Sequence, residues 1–138
     1  MSSQQLAEAC AEAMWAEDRA SRELGMRIAR IAPGEADLTM TVEARMVNGH
    51  GICHGGFIFA LADSAFAFAC NSFNRRAVAQ SNAITYLRPA RLGDALIARA
   101  VQTAGAGRSG ITDVTVTRES DGAVIAEFRG RSRSLTTR

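Results

Sequence analysis

Apolar positions change period along the chain, and each change marks an element. In the first 24 residues Leu6, Cys10, Ala13 and Met14 share one helical face and the acids lie on the other. Ser2 or Ser3 is placed to cap this helix, which is predicted to run to about Leu24 and stop at Gly25. Residues 37–43 then alternate strictly, with Leu38, Met40 and Val42 on one side, as a half-buried strand does. Residues 27–31 form its partner through a turn at Pro33-Gly34-Glu35. Residues 57–70 read FIFALADSAFAFAC, apolar apart from the adjacent Asp63 and Ser64. A helix with that pattern is expected to be buried on every face. Four strands follow, at 77–88, 94–103, 110–118 and 124–133. Turn residues separate them, the Asp121-Gly122 hairpin signal among them.

One apolar helix and about six strands joined mostly by hairpins predict an α+β fold with an antiparallel sheet. One face of that sheet must cover the helix, because no other element is large enough to do so. A sheet wrapped around a single long helix is the hotdog architecture. The 138 residues fit one domain, 1–138, with an N-terminal helical segment at 1–25 and the central helix at 56–71. Flat edge strands and a modest core predict pairing with a second copy.

Composition narrows the function classes. A net charge of +2 is too small to argue for nucleic acid. All sixteen basic residues are Arg, a pattern that GC-rich codons produce and that also suits phosphate binding. Cys10, Cys53 and Cys70 are odd in number and widely spaced, which predicts reduced thiols and a cytoplasmic setting. Glu8, Glu12, Glu17 and Asp18 argue against a signal peptide in residues 1–20. The apolar run falls short of the roughly 20 residues a membrane span needs, and Asp63 would oppose insertion by about 2.5–3.5 kcal/mol.

Candidate chemistry gathers at the start of the apolar helix. In Asn48-Gly-His-Gly-Ile-Cys-His-Gly-Gly56 the glycines interrupt any helix, so His50 and His54 do not share a helical face. That argues against a zinc pair, and no third ligand is evident. Cys53 is expected to be a small buried thiol. Gly55 and Gly56 sit at a helix N-terminus, where the first N–H groups lack partners and the dipole is positive. They either form a tight turn or make an oxyanion hole. Asp63 is costly in its apolar surroundings unless it is hydrogen-bonded, paired or shifted in pKa. It is either a satisfied structural carboxylate or a reactive one. It lies eight residues past Gly55, roughly 12 Å along a helix axis. If both serve one reacting centre, the carboxylate must come from a neighbouring subunit.

The stretch from Val47 to Ser72, with NGH, HGG, LAD and ACNS in that order, resembles the signature of hotdog-fold acyl-CoA thioesterases. It is closest to the phenylacetate-degradation PaaI-type family. Met14-Trp15 to Leu24-Gly25, Tyr86-Leu-Arg-Pro89 and Phe128-Arg-Gly130 extend the resemblance over nearly the whole chain. The resemblance implies that Gly55 N–H polarises a thioester carbonyl and that Asp63 is the catalytic carboxylate, as general base or nucleophile. Asn48, His54, Gly56 and Ser64 fall at positions that bind or orient substrate or water. Arg88, Arg91 and Arg108 are candidates for coenzyme A phosphates. The implied reaction is acyl-CoA hydrolysis, with phenylacetyl-CoA or hydroxyphenylacetyl-CoA as substrate, in a homodimer or dimer of dimers. Coenzyme A is part of the substrate, and no metal or separate cofactor is implied. A hotdog hydratase or dehydratase, and a non-catalytic acyl-CoA-binding module, are the alternatives.

Overall fold

The computed structural model describes residues 1–135. Ser2 caps the first helix, α1 (Ser3–Glu17), through a reciprocal box with Gln5: Gln5 N–H donates to Ser2 Oγ at 3.0 Å and Ser2 N–H to Gln5 Oε1 at 2.8 Å. The helix does not run on to Leu24. It breaks at Asp18, whose carboxylate accepts from Ser21 N–H at 2.9 Å and so caps a second helix, α2 (Arg19–Glu23). A local side-chain acceptor competes here with continuation of the helix, as Asp does at caps. The buried stripe of α1 is Ala7 and Ala11, with Met14 and Trp15 partly covered, so Ala13 is exposed rather than on the packed face.

Six strands form one antiparallel sheet: β1 (Arg27–Ala32), β2 (Glu35–Thr41), β3 (Ala77–Tyr86), β4 (Ala95–Ala106), β5 (Ser109–Arg118) and β6 (Val124–Ser134). Their order is β1-β2-β4-β5-β6-β3, so β1 and β3 are the edges. Each predicted strand is present with ends shifted by a few residues.

The central helix, α3 (Gly55–Cys70), lies on the inner face of this sheet and contacts every strand. Alternation supplies that face: Leu38 and Met40 from β2, Leu96 and Ala98 from β4, Val114 and Val116 from β5, Ala126 and Phe128 from β6, all buried. Phe59 and Phe66 of α3 meet the Phe128 ring at centroid separations of 5.5 and 5.8 Å. Trp15 brings α1 onto Phe68 at 6.1 Å.

The chain does not bury α3 all round. Phe57, Ala60, Asp63, Ser64 and Ala67 are only half-buried, while Leu61, Ala62, Ala65 and Phe66 are fully covered. One sheet covers one side of a helix, and the other side leaves apolar Phe57, Ala60 and Ala67 partly exposed.

Gly130 on β6 makes room for Phe66. A Cβ at position 130 would stand 2.5 Å from the Phe66 ring, which is 1% exposed and packed on all sides. Gly130→Ala is expected to destabilise by about 1–3 kcal/mol through overpacking, read as a lower denaturant midpoint with an unchanged slope. An unchanged midpoint would show that the aromatic cluster yields at no cost.

Candidate functional site

The loop before α3 is tied to its surroundings by backbone bonds. His54 N–H donates to Met46 O at 2.7 Å and Cys53 N–H to Ala90 O at 2.8 Å. Asn48 organises the turn between: its Oδ1 accepts from His50 N–H at 2.9 Å and Ile52 N–H at 3.2 Å. Asn48 N–H also donates to Ile52 O at 2.8 Å. Its amide oxygen is therefore committed to holding the loop, and only its NH₂ is left for a ligand. Adjacent Cys53 is buried, and burial pushes its thiol up to about 11, so it is not a thiolate near neutral pH.

His54 is the N-cap of α3. Its Nδ1 accepts from Gly56 N–H at 3.0 Å, which fixes the ring as the tautomer with hydrogen on Nε2. The Gly56 amide is thereby satisfied. Gly55 N–H, the first amide of the helix, meets no acceptor among the described residues. Of the two glycines, Gly55 is the one with a free donor at the positive end of the helix dipole. Tyr86 secures this first turn: its hydroxyl donates to Gly55 O at 2.9 Å. A Cβ at position 55 would meet the Tyr86 ring at 2.9 Å, so glycine is needed there for close approach. In front of Gly55 lies a cleft of about 490 Å³, mainly apolar, with Arg88 at its edge.

Asp63 lies two turns further along, half-buried, on the side of α3 that faces β3. Asn82 of β3 donates its Nδ2–H to Asp63 Oδ1 at 3.3 Å. Desolvation holds the carboxyl above its usual range, and the Asn82 bond opposes that shift without cancelling it. No cation pairs with Asp63 among the described residues. Asn82 Oδ1 is buried and unpartnered among the same residues. An Asn inside a strand is uncommon enough to have marked this position from sequence, but its pairing with Asp63 depends on register.

Ser64 turns to the other side, towards α2. Its Oγ lies 2.7 Å from Ser21 Oγ, and Ser21 donates in turn to Asp18 Oδ2 at 2.7 Å. Each hydroxyl has one hydrogen, so Ser64 donates to Ser21 and keeps its lone pairs free. This link ties the N-terminal helices to the residue after Asp63.

The arginine candidates are separated. Arg88 and Arg91 flank the Gly55 loop: Arg88 lines the cleft and donates Nη1–H to Val124 O at 2.9 Å, and Arg91 bridges Ile52. Arg108 is elsewhere, at the tip of the β4–β5 hairpin. Within one chain Gly55, His54 and Asn48 are brought together, while Asp63 stands roughly 12 Å away along the helix. No cluster of three His, Cys, Asp or Glu side chains able to hold a metal occurs among the described residues. Cys10, Cys53 and Cys70 are unpaired.

Comparison with known proteins places this geometry in context. The thioesterase superfamily profile matches residues 50–125, which contain Gly55 and Asp63. The acyl-coenzyme A thioesterase PaaI of Escherichia coli is 42% identical over 125 residues, covering 91% of this chain and 89% of that protein. The solved structure of the Escherichia coli PaaI protein from the phenylacetic acid degradation operon superposes with a TM-score of 0.95 and 40% identity, covering 99% and 98% of the two chains. The smu.793 protein of Streptococcus mutans, solved bound to acetyl CoA, is 26% identical with a TM-score of 0.77, covering 82% and 90%.

The raised pKa of Asp63 has a stability consequence. The native state holds this proton more tightly than the unfolded chain, so ionising it on raising the pH weakens folding. Asp63→Asn removes that penalty. It is expected to raise the unfolding midpoint at pH 7, with the gain shrinking as pH falls to about 4, the unfolded carboxyl's own pKa. Thermal unfolding across that range checks it; a gain independent of pH would mean that burial does not strain the carboxylate.

Proposed function

The chain belongs to the thioesterase superfamily, and we propose that it hydrolyses phenylacetyl-CoA or hydroxyphenylacetyl-CoA to the free acid and coenzyme A in phenylacetate catabolism. The observation that carries the reaction type is one helix presenting an unpaired first amide at Gly55 and a lone half-buried carboxylate at Asp63. The acyl group rests on the similarity to PaaI, named for acyl-coenzyme A hydrolysis and encoded in a phenylacetic acid degradation operon. Half-buried Phe57 and Phe59 on α3 supply aromatic surface beside the site. The cytoplasm is the proposed location, and no described helix is long and apolar enough to cross a membrane.

In this mechanism the thioester carbonyl oxygen takes a hydrogen bond from Gly55 N–H. Charge grows on that oxygen as the tetrahedral intermediate forms, facing a donor already aligned and a positive helix end. His54 Nε2–H and the Asn48 amide NH₂ are further donors on the same loop. Ionised Asp63 either takes a proton from the attacking water or attacks the carbonyl carbon itself, and Asn82 holds it in place for both. On the base route the water oxygen forms the new C–O bond, the C–S bond breaks, and the leaving thiolate takes the proton that Asp63 removed. On the nucleophilic route the C–S bond breaks as a mixed anhydride forms on Asp63. Water then cleaves that anhydride to the free acid and the Asp63 carboxylate, its released proton going to the thiolate. Water is the only co-reactant.

Gly55 and Asp63 can meet at one carbonyl only between two copies. Edge strand β3 supports this pairing: its ten residues carry no charge, and Val78, Ala79, Ser81, Ala83 and Thr85 are exposed. The other edge, β1, carries Arg27 and Arg30 and has α1 against it, devices that discourage edge pairing. Joining two β3 edges would extend the sheet and bring the two half-covered α3 helices together. The proposed unit is a homodimer, or a dimer of dimers, with each site taking its Gly55 loop from one subunit and Asp63 from the other.

A hydratase would need a His paired with a carboxylate for proton transfer at carbon. His54 Nδ1 is instead taken up by Gly56 N–H at its own helix end, which leaves the neutral ring a donor at Nε2 and no free basic nitrogen for that transfer. Release of free thiol from a panel of acyl-CoAs separates the readings, because hydratases and simple binders release none.

Asp63→Asn is expected to lower kcat by two or more orders of magnitude on the best substrate while the chain stays folded. Turnover within about threefold of wild type, worth only ~0.65 kcal/mol of barrier, would make Asp63 structural.

Sharing of the site is tested by complementation. Asn48→Ala releases the loop that carries Gly55, and Asp63→Asn removes the carboxylate, so each homodimer is expected to be inactive. Random pairing of equal amounts should recover about one quarter of wild-type activity, because half the dimers are mixed and each has one intact site. Mixed dimers without recovered activity would place the whole site within one chain.

A further inference from the structure

Two arginines without acidic partners share a cleft at the far end of α3. Asn74 adopts φ 58, a left-handed conformation that Asn tolerates better than most residues. The turn it makes leads Arg75 into a cleft of about 510 Å³ between the end of α3 and the tip of the β4–β5 hairpin, where Arg108 also lines the wall. Cys70 closes α3 here, fifteen residues beyond Gly55 and so about 22 Å along the axis.

Both guanidinium groups are held by carbonyl oxygens. Arg75 Nη2–H donates to Gly107 O at 3.1 Å, and Arg108 Nε–H to Ser134 O at 3.1 Å. Arg75 Nε is buried without a partner among the described residues. No Asp or Glu among those residues lines the cleft, and neither arginine forms an ion pair with them. Gln102 and Ser132 add neutral polar groups to the wall. Burial pushes the Cys70 thiol up to about 11, so it adds no negative charge near neutral pH. Two positive charges, half-buried Arg75 and exposed Arg108, thus line one cleft without an acidic partner among the described residues, where an anion would be held by charge-assisted bonds. Beside them Phe73 is 42% exposed, with its ring tip against Gly34. Phosphate donors next to an exposed aromatic ring are the combination a nucleotide uses, charge for the backbone and a π-face for the base.

We propose that this cleft binds a phosphorylated nucleoside, with its phosphate on Arg75 and Arg108 and its base on Phe73. Two sources share that chemistry: the nucleotide end of the acyl-CoA substrate, and a free nucleotide acting as an effector. The first rests on the thioesterase reading; the second does not.

Calorimetric titration of the full-length protein with adenosine 3′,5′-bisphosphate tests the site without using turnover. The wild type should bind it, more weakly as salt rises. R75Q/R108Q should bind at least tenfold more weakly, and Phe73→Ala about fivefold or more. R75K/R108K, which keeps the charge and loses the paired donors, should fall between the wild type and R75Q/R108Q. Unfolding midpoints establish that each variant is folded. Failure of the wild type to bind at millimolar bisphosphate in low salt overturns the proposal, as does unchanged affinity in either R75Q/R108Q or Phe73→Ala. The source is read from kcat/KM for one acyl group carried on coenzyme A and on pantetheine. A preference for coenzyme A that falls at least tenfold in R75Q/R108Q assigns the cleft to the substrate. An unchanged preference with lost bisphosphate binding assigns it to a separate nucleotide. If no thiol is released from either ester, the thioesterase reading fails while the binding result stands.

Discussion

Residues 57–70 put one carboxylate into an otherwise uncharged helix, and the energy of keeping it there sets what its neighbours must be. No cation comes near Asp63 among the described residues, so its ionisation is resisted by desolvation and relieved only by the Asn82 amide. A salt bridge would have stabilised the charge and made the carboxylate a weaker base. An entirely apolar neighbourhood would have kept it protonated. One neutral donor at 3.3 Å is an intermediate arrangement: it orients the group while leaving lone pairs for chemistry.

The start of α3, the proposed carbonyl site, is organised by the opposite logic. Most groups at the start of α3 are satisfied: His54 caps Gly56, Tyr86 takes the Gly55 carbonyl, and Asn48 closes the loop. Each bond removes a competing donor or fixes a backbone angle, and the Gly55 amide is left over. A donor held in place before the reaction need not reorganise as charge develops, which is the main source of electrostatic catalysis. The N-terminal helices belong to the same arrangement, because Asp18 and Ser21 reach Ser64 and so link the outer layer to the residue beside the carboxylate.

The arginines divide by environment. Arg30, Arg45, Arg99, Arg118 and Arg129 pair with carboxylates on exposed or half-exposed surface, where such pairs add little. Arg75 and Arg108, like Arg22 and Arg88, form no ion pair among the described residues and donate to main-chain carbonyls, and these two do so from the walls of one cleft. Guanidinium groups held in position with spare donors are prepared for a ligand, whereas a paired group would first have to break its ion pair.

Much of this was legible before any coordinate. Strand periodicity, turn residues and one long apolar run specify the antiparallel sheet and its helix, because burial of alternate side chains is a local property of each strand. Two glycines before that run, and an acid inside it, mark the candidate site for the same reason: each breaks a local pattern. Three features depended on tertiary structure. The break at Asp18 arises because a side-chain acceptor outcompetes helix continuation, a balance that composition leaves open. Asn82 meets Asp63, and Arg75 comes to line one cleft with Arg108, through strand register and a turn at Asn74, which join residues far apart in sequence. The half-covered face of α3 appears only when the sheet's width is set against the helix it must enclose. A run of apolar residues states how much surface must leave water, and only packing decides whether one chain has enough to cover it.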